Sequence, residues 1–212
     1  MMNQRTKIAA MTALAALAMA GCSQPDPKAP SRETFEAGVR TFLASGNDQL
    51  CLAMYDWPID LTEAEAGADA RHAVQLPVFE KLGLVKSTIV PVPKSDENPD
   101  GAIKRYSLTD EGLKYYKQHA HQGRDGKAHP SDFCVAQISL DRVDSWDLDP
   151  QKSAATVSYS YHIAPAPWMK DADAQRVLPM VAKVIAGADS GLKMHQGFTL
   201  SDKGWVAVPG PV

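Results

Sequence analysis

The chain has 212 residues, 44% of them hydrophobic and 22% charged, with 22 Lys and Arg against 25 Asp and Glu for a formal charge of −3. That size accommodates one domain, or two small ones, with a real core. The acidic balance excludes a general electrostatic attraction to nucleic acid or to anionic lipid.

Arg5 and Lys7 precede an apolar, alanine-rich run over residues 8–19, and the run ends at Leu17-Ala18-Met19-Ala20-Gly21-Cys22. The run is shorter than the roughly 20 apolar residues a membrane span needs. It has the layout of an export signal. The stretch resembles the bacterial lipoprotein signal, with Met19 where that family usually has leucine. The resemblance implies cleavage before Cys22, a diacylglycerol on its sulfur and a fatty acid such as palmitate on its new amino group. Ser23, rather than aspartate, implies outer-membrane delivery, with the domain facing the periplasm or, alternatively, the cell surface. Loss of residues 1–21 removes Arg5 and Lys7 and no acid, which moves the formal charge from −3 to −5.

Three cysteines are present. With Cys22 lipidated, Cys51 and Cys134 remain as an even pair in an oxidising compartment, which predicts a disulfide between them.

Prolines at 25, 27 and 30 make residues 22–31 an extended tether. Ser31 is a suitable N-cap for a helix that Gly46 stops, with Phe35, Val39, Phe42 and Leu43 on its core face. Residues 49–61 are apolar and broken at Trp57-Pro58. Thr62 and Glu65 form a capping-box pattern ahead of a helical stretch running to Gly83, with Pro77 starting a new helix or kinking the old one. Residues 84–92 and 103–108 read as strands joined by a polar loop, and Thr109 caps a helix to about residue 120.

Two phrases in this region, Phe79-Glu80-Lys81-Leu82-Gly83-Leu84-Val85 and Tyr106-Ser107-Leu108-Thr109-Asp110-Glu111-Gly112, resemble winged-helix regulators around residues 78–117. In that family the fold implies DNA binding. An exported acidic protein does not meet the chromosome, so the expectation is that architecture without nucleic acid as a partner.

Residues 119–132 read as a surface loop. Residues 133–147 and 154–163 read as strands, residues 171–186 as a helix interrupted by Pro179, and residues 193–200 with 205–208 as a closing hairpin over Gly204. Phe198-Thr199-Leu200-Ser201-Asp202-Lys203-Gly204 echoes residues 106–112 by class, which we attribute to convergent turn chemistry.

The expected fold is α+β: an N-terminal helical half with a wing-like hairpin (32–122), then an antiparallel sheet with one helix (133–212), the two stapled by Cys51 and Cys134. His119, His121 and His129, with Asp125 and Asp132, could chelate zinc or copper, although a polar loop of this kind is more often solvated. Asp56, Asp60, Glu63 and Glu65 could pair for glycan hydrolysis, but their place at a capping box favours helix-start electrostatics. No nucleophile or zinc-protease signature occurs. Trp146, Trp168, Trp205, Tyr159 and Tyr161 read as core before groove. The functional expectation is a non-catalytic, lipid-anchored envelope module that binds an envelope protein or glycan or supports the surface, with no cofactor and no bound metal. The alternative is a small envelope hydrolase or a metal-binding protein using His119, His121 and His129.

Overall fold

The computed structural model describes residues 26–96, 98–122 and 126–208, so Cys22 and Asp125 lie outside the described residues. The fold is α+β, with a curled antiparallel sheet, a smaller antiparallel sheet and several helices.

Ser31 caps α1 (Arg32–Phe42) by accepting from the Thr34 N–H, and Phe35 and Val39 bury its inner face. The helix runs into a π-type turn (Leu43–Asn47), where Gly46 adopts φ 99° and ends it, as the sequence suggests. β1 (Gln49–Cys51) and β2 (Ile59–Leu61) follow, separated by the cis Trp57-Pro58 bond.

The expected helix to Gly83 is two helices. α2 (Glu63–Ala66) is one turn held by the Thr62–Glu65 capping box, and α3 (Arg71–Lys81) carries Pro77 within it. Gly67 at the α2 C-cap and the extended Ala70 separate them. β3 (Val85–Pro91) and β4 (Ala102–Leu108) pair antiparallel where two strands were expected, and β2 joins β4 to give the three-stranded sheet β2-β4-β3.

The helix expected from Thr109 to residue 120 is only α4 (Asp110–Leu113), and the expected loop over residues 119–132 is largely strand. β5 (Tyr116–Gln122) pairs with the first part of β6 (Ala128–Leu148), in register Tyr116 with Phe133 and His121 with His129. Gly112 weakens the helix, and strand pairing then outweighs local helix preference across Tyr116, His119 and His121.

The larger sheet has the order β1-β6-β7-β8-β9, built with β7 (Ala154–Pro165), β8 (Met194–Ser201) and β9 (Gly204–Ala207). Register shifts at Leu140/Arg142 and Val143/Ser145 bend β6 against β7. Between β7 and β8 the chain makes a 3₁₀ turn (Pro167–Lys170), α5 (Ala172–Val177) and α6 (Pro179–Ser190). The single helix expected here breaks at Leu178, whose φ of −125° is non-helical, and Pro179 restarts it at the first helical position.

Two apolar clusters hold the molecule. One gathers Leu76 and Phe79 of α3, Tyr106 of β4, Phe133 and Val135 of β6, and Val177 and Val181 from the last helices. The other packs Phe35 and Val39 of α1 onto Val143, Val157, Tyr159, Phe198 and Trp205 of the larger sheet. β6 feeds both, and the Cys51–Cys134 disulfide joins β1 to it.

Candidate functional site

An open groove of about 720 Å³ lies between α1 and the edge strand β9. Thr34, Ala37, Gly38, Thr41, Phe42 and Ser45 recur at helical spacing along one wall. All but Phe42 are small, which leaves the groove open, and the core stripe of Phe35 and Val39 turns the helix so that this second face looks along the sheet edge. Gly38 has a packing reason as well: a Cβ there would lie 2.5 Å from the Phe198 ring.

The opposite wall is Lys203, Trp205, Val206 and Ala207, with Asp26 and Pro27 of the incoming chain. Trp205 stands between the groove and the core, its ring 5.3 Å from that of Phe35. Its backbone N–H donates to the Pro27 carbonyl at 3.3 Å, and its indole N–H donates to the Lys28 carbonyl at 3.1 Å. Asp26 closes a turn by accepting from the backbone N–H groups of Lys28 and Ala29. Residues 26–29, expected in an extended spacer, are thus a turn pinned to β9. At the groove's rim, the backbone N–H at the helix start, the Ser31 hydroxyl and the neighbouring Arg32 hold the Glu33 carboxyl below its ordinary value against a small opposing effect of burial.

The histidines expected to chelate metal lie on the β5–β6 hairpin. His121 faces His129 across the register, and His119 sits at the register shift beside them. His129 is buried, stacks on Tyr55 at 4.2 Å and has Nδ1 3.4 Å from the Asp56 carboxylate. Asp132 is turned away into backbone bonds with Ala53, Met54 and Phe133. The side chain of His121 lies outside the described residues, and among the described residues no group of three metal-ligating side chains converges.

The carboxylates weighed for glycan hydrolysis are each engaged separately. Asp60 takes a bidentate bond from Arg105 at 2.6 and 2.7 Å, Glu65 closes the capping box, and Asp56 meets His129. A hydrogen bond with Asp100, and after it the negative charge of that residue, pushes the Glu63 pKa up.

A polar cluster that the sequence did not single out occupies the outer sheet face. Lys193 Nζ lies 2.8 Å from both the Ser160 hydroxyl and the Asp144 carboxylate, and Ser160 donates to Asp144 at 2.6 Å. The Ser–Lys contact resembles a nucleophile and base only in distance. Ser160 gives its hydroxyl proton to Asp144 and accepts from Lys193, the reverse of a serine donating to its base. The cluster works as a cross-strand ion pair.

The five aromatics read as core are packed as such. Tyr159, Tyr161 and Trp205 are buried, and Trp146 and Trp168 pack against the two clusters. The groove itself was missed. Its signal was available at residues 34, 37, 38 and 41 of α1 and residue 45 of the turn after it, but small residues carry no hydrophobic peak, and Phe42 beside them read as core.

No helix among the described residues is long and apolar enough to cross a membrane. Compared with family models, curated proteins and solved structures, the chain finds no match.

Proposed function

We propose that the protein is a lipid-anchored module of the bacterial envelope, held at the outer membrane through Cys22 with its domain in the periplasm, and that it works by binding rather than by catalysis. The α1–β9 groove is the observation that carries this reading. It is a binding-sized concavity walled by apolar and small side chains, and it opens where the tether enters the fold. The acidic charge and export signal support an envelope address and weigh against nucleic acid as a partner.

The winged-helix resemblance is consistent with this reading as architecture alone. The succession of α2, α3 and the β3–β4 hairpin is what supports it. The metal-binding alternative keeps one specific support, the cross-strand pairing of His121 with His129.

Density-gradient fractionation of envelopes, combined with intact-mass analysis of the mature amino terminus, tests the proposal. Outer-membrane recovery with an acylated Cys22 is expected. A protein with an unmodified Cys22 in the soluble fraction overturns it. Crosslinking in intact envelopes then identifies the partner.

A further inference from the structure

The groove between α1 and β9 lies at the chain's own point of attachment. Asp26 and Pro27, the first described residues, form part of its wall, and Trp205 fixes them there through the Pro27 and Lys28 carbonyls. Cys22 precedes Asp26 by four residues, a separation that spans at most about 14 Å of extended chain. The opposite wall, α1, is about 16 Å long. We infer that the groove is the docking site for one acyl chain of the lipid on Cys22 of the same molecule. This inference rests on the lipoprotein reading proposed above.

Three features select that occupant. The first is reach, since Cys22 cannot move far from the groove. A ligand on so short a tether is presented at an effective concentration in the millimolar range, so a shallow groove can still fill. The second is lining chemistry: Pro27, Ala37, Gly38, Phe42, Trp205 and Ala207 offer apolar surface, and about 720 Å³ lies within the usual range for small-molecule sites. The third is charge. Asp26 and Glu33 at the rim outnumber Lys203, which disfavours a free fatty acid or phosphate headgroup, whereas a thioether-linked diacylglycerol is uncharged at its glycerol.

The groove then shelters an acyl chain while the protein is in water and releases it to the bilayer. Insertion of two or more chains makes the membrane-anchored state the stable one, because a single chain holds a protein only marginally.

The test uses full-length protein processed in a bacterial host, purified in detergent and moved into detergent-free buffer. Intact mass first reports the anchor. Proton NMR contacts between acyl methylenes and the rings of Phe42 and Trp205 then report the groove, in the parent protein and in an Ala37→Trp/Thr41→Trp variant. Both substituted side chains are exposed on α1, and circular dichroism checks the variant's fold. We expect contacts in the parent, none in the variant, and transfer of the variant to phosphatidylethanolamine–phosphatidylglycerol vesicles roughly tenfold faster. An acylated parent with no such contacts and unchanged transfer overturns the inference while leaving the lipoprotein reading intact. So do contacts that arise only when palmitate is added. A mature terminus without acyl mass overturns the lipoprotein reading, and this inference with it.

Discussion

The Asp132 carboxylate accepts from the backbone N–H of Met54 at 2.8 Å, across 78 residues of sequence. The same carboxylate accepts from Ala53 at 3.0 Å and from Phe133 at 2.7 Å, while only 3% of the residue is exposed. One side chain therefore satisfies three backbone donors where the segment between β1 and β2 meets β6. Asp132→Ala strands the buried donors of Met54 and Phe133, and the expected cost is about 3 kcal/mol. Asp132→Asn keeps an acceptor and should cost about half as much. Urea unfolding of the two variants measures both, and equal stabilities would show that the carboxylate bonds contribute little.

The Cys51–Cys134 disulfide closes a loop of sequence separation 83 between β1 and β6. Under the chain-entropy account, a loop of that length is worth about 4.5 kcal/mol. A Cys51→Ala/Cys134→Ala variant is expected to lose most of that, read as a lower urea midpoint. Thiol titration of the denatured, unreduced parent should find neither of these two sulfurs free.

The legible parts of this fold were those set by local chemistry. Ser31, the Thr62–Glu65 box, Gly46 and the Gly204 hairpin act within a few residues, and each is found where its residue type points. The alternation of Val157, Tyr159 and Tyr161 announced β7 and its buried face. What stayed hidden depends on distant partners. Nothing local reveals that residues 116–122 will find β6, because their helical and extended preferences are close and the pairing decides. The candidate groove needed knowledge that Gly38 admits the Phe198 ring and that Trp205 captures Pro27 and Lys28, contacts spanning most of the chain. The engagement of Asp132 by backbone donors likewise removed it from the expected metal set only once the β1–β2 segment was in place.

Acid should act on the outer sheet face through Asp144. Burial pushes its pKa up, but hydrogen bonds from Lys193 and Ser160, with the charges of Lys193 and Arg142, outweigh burial and leave it below the ordinary 3.8. A carboxyl with a depressed folded pKa contributes stability that is complete above its unfolded value and is lost as pH falls through the folded one. The stability gap between the parent and Asp144→Asn should therefore be constant from neutral pH down to about 5 and close below 3.8. Urea midpoints taken across that range check it, and a gap that persists in acid would assign the role of Asp144 to packing.

Gly112 and Gly204 hold equivalent places in the two echoing phrases, yet they are glycine for different reasons. At Gly112 a Cβ would fall 1.9 Å from the Leu84 carbonyl oxygen. That oxygen is held by the Thr109 backbone N–H and hydroxyl, both at 3.1 Å, so it cannot withdraw without breaking the α4 start. Gly112→Ala is expected to cost about 3–5 kcal/mol, the range of severe overpacking against backbone. At Gly204 the backbone sits at φ +115°, and a Cβ would lie 2.6 Å from the Pro27 oxygen. That oxygen belongs to the incoming turn, which can lift away. Gly204→Ala should thus cost about 1–2 kcal/mol for the strained φ and free residues 26–28 from β9. Gly67, with only ordinary contact at 3.5 Å to the Glu63 carbonyl and no positive φ, provides the control, and Gly67→Ala is expected within about 1 kcal/mol of the parent. Urea unfolding ranks the three. Amide exchange separates the first two, because Gly112→Ala should raise exchange throughout the core, whereas Gly204→Ala should raise it at the Trp205 N–H and leave β6 protected.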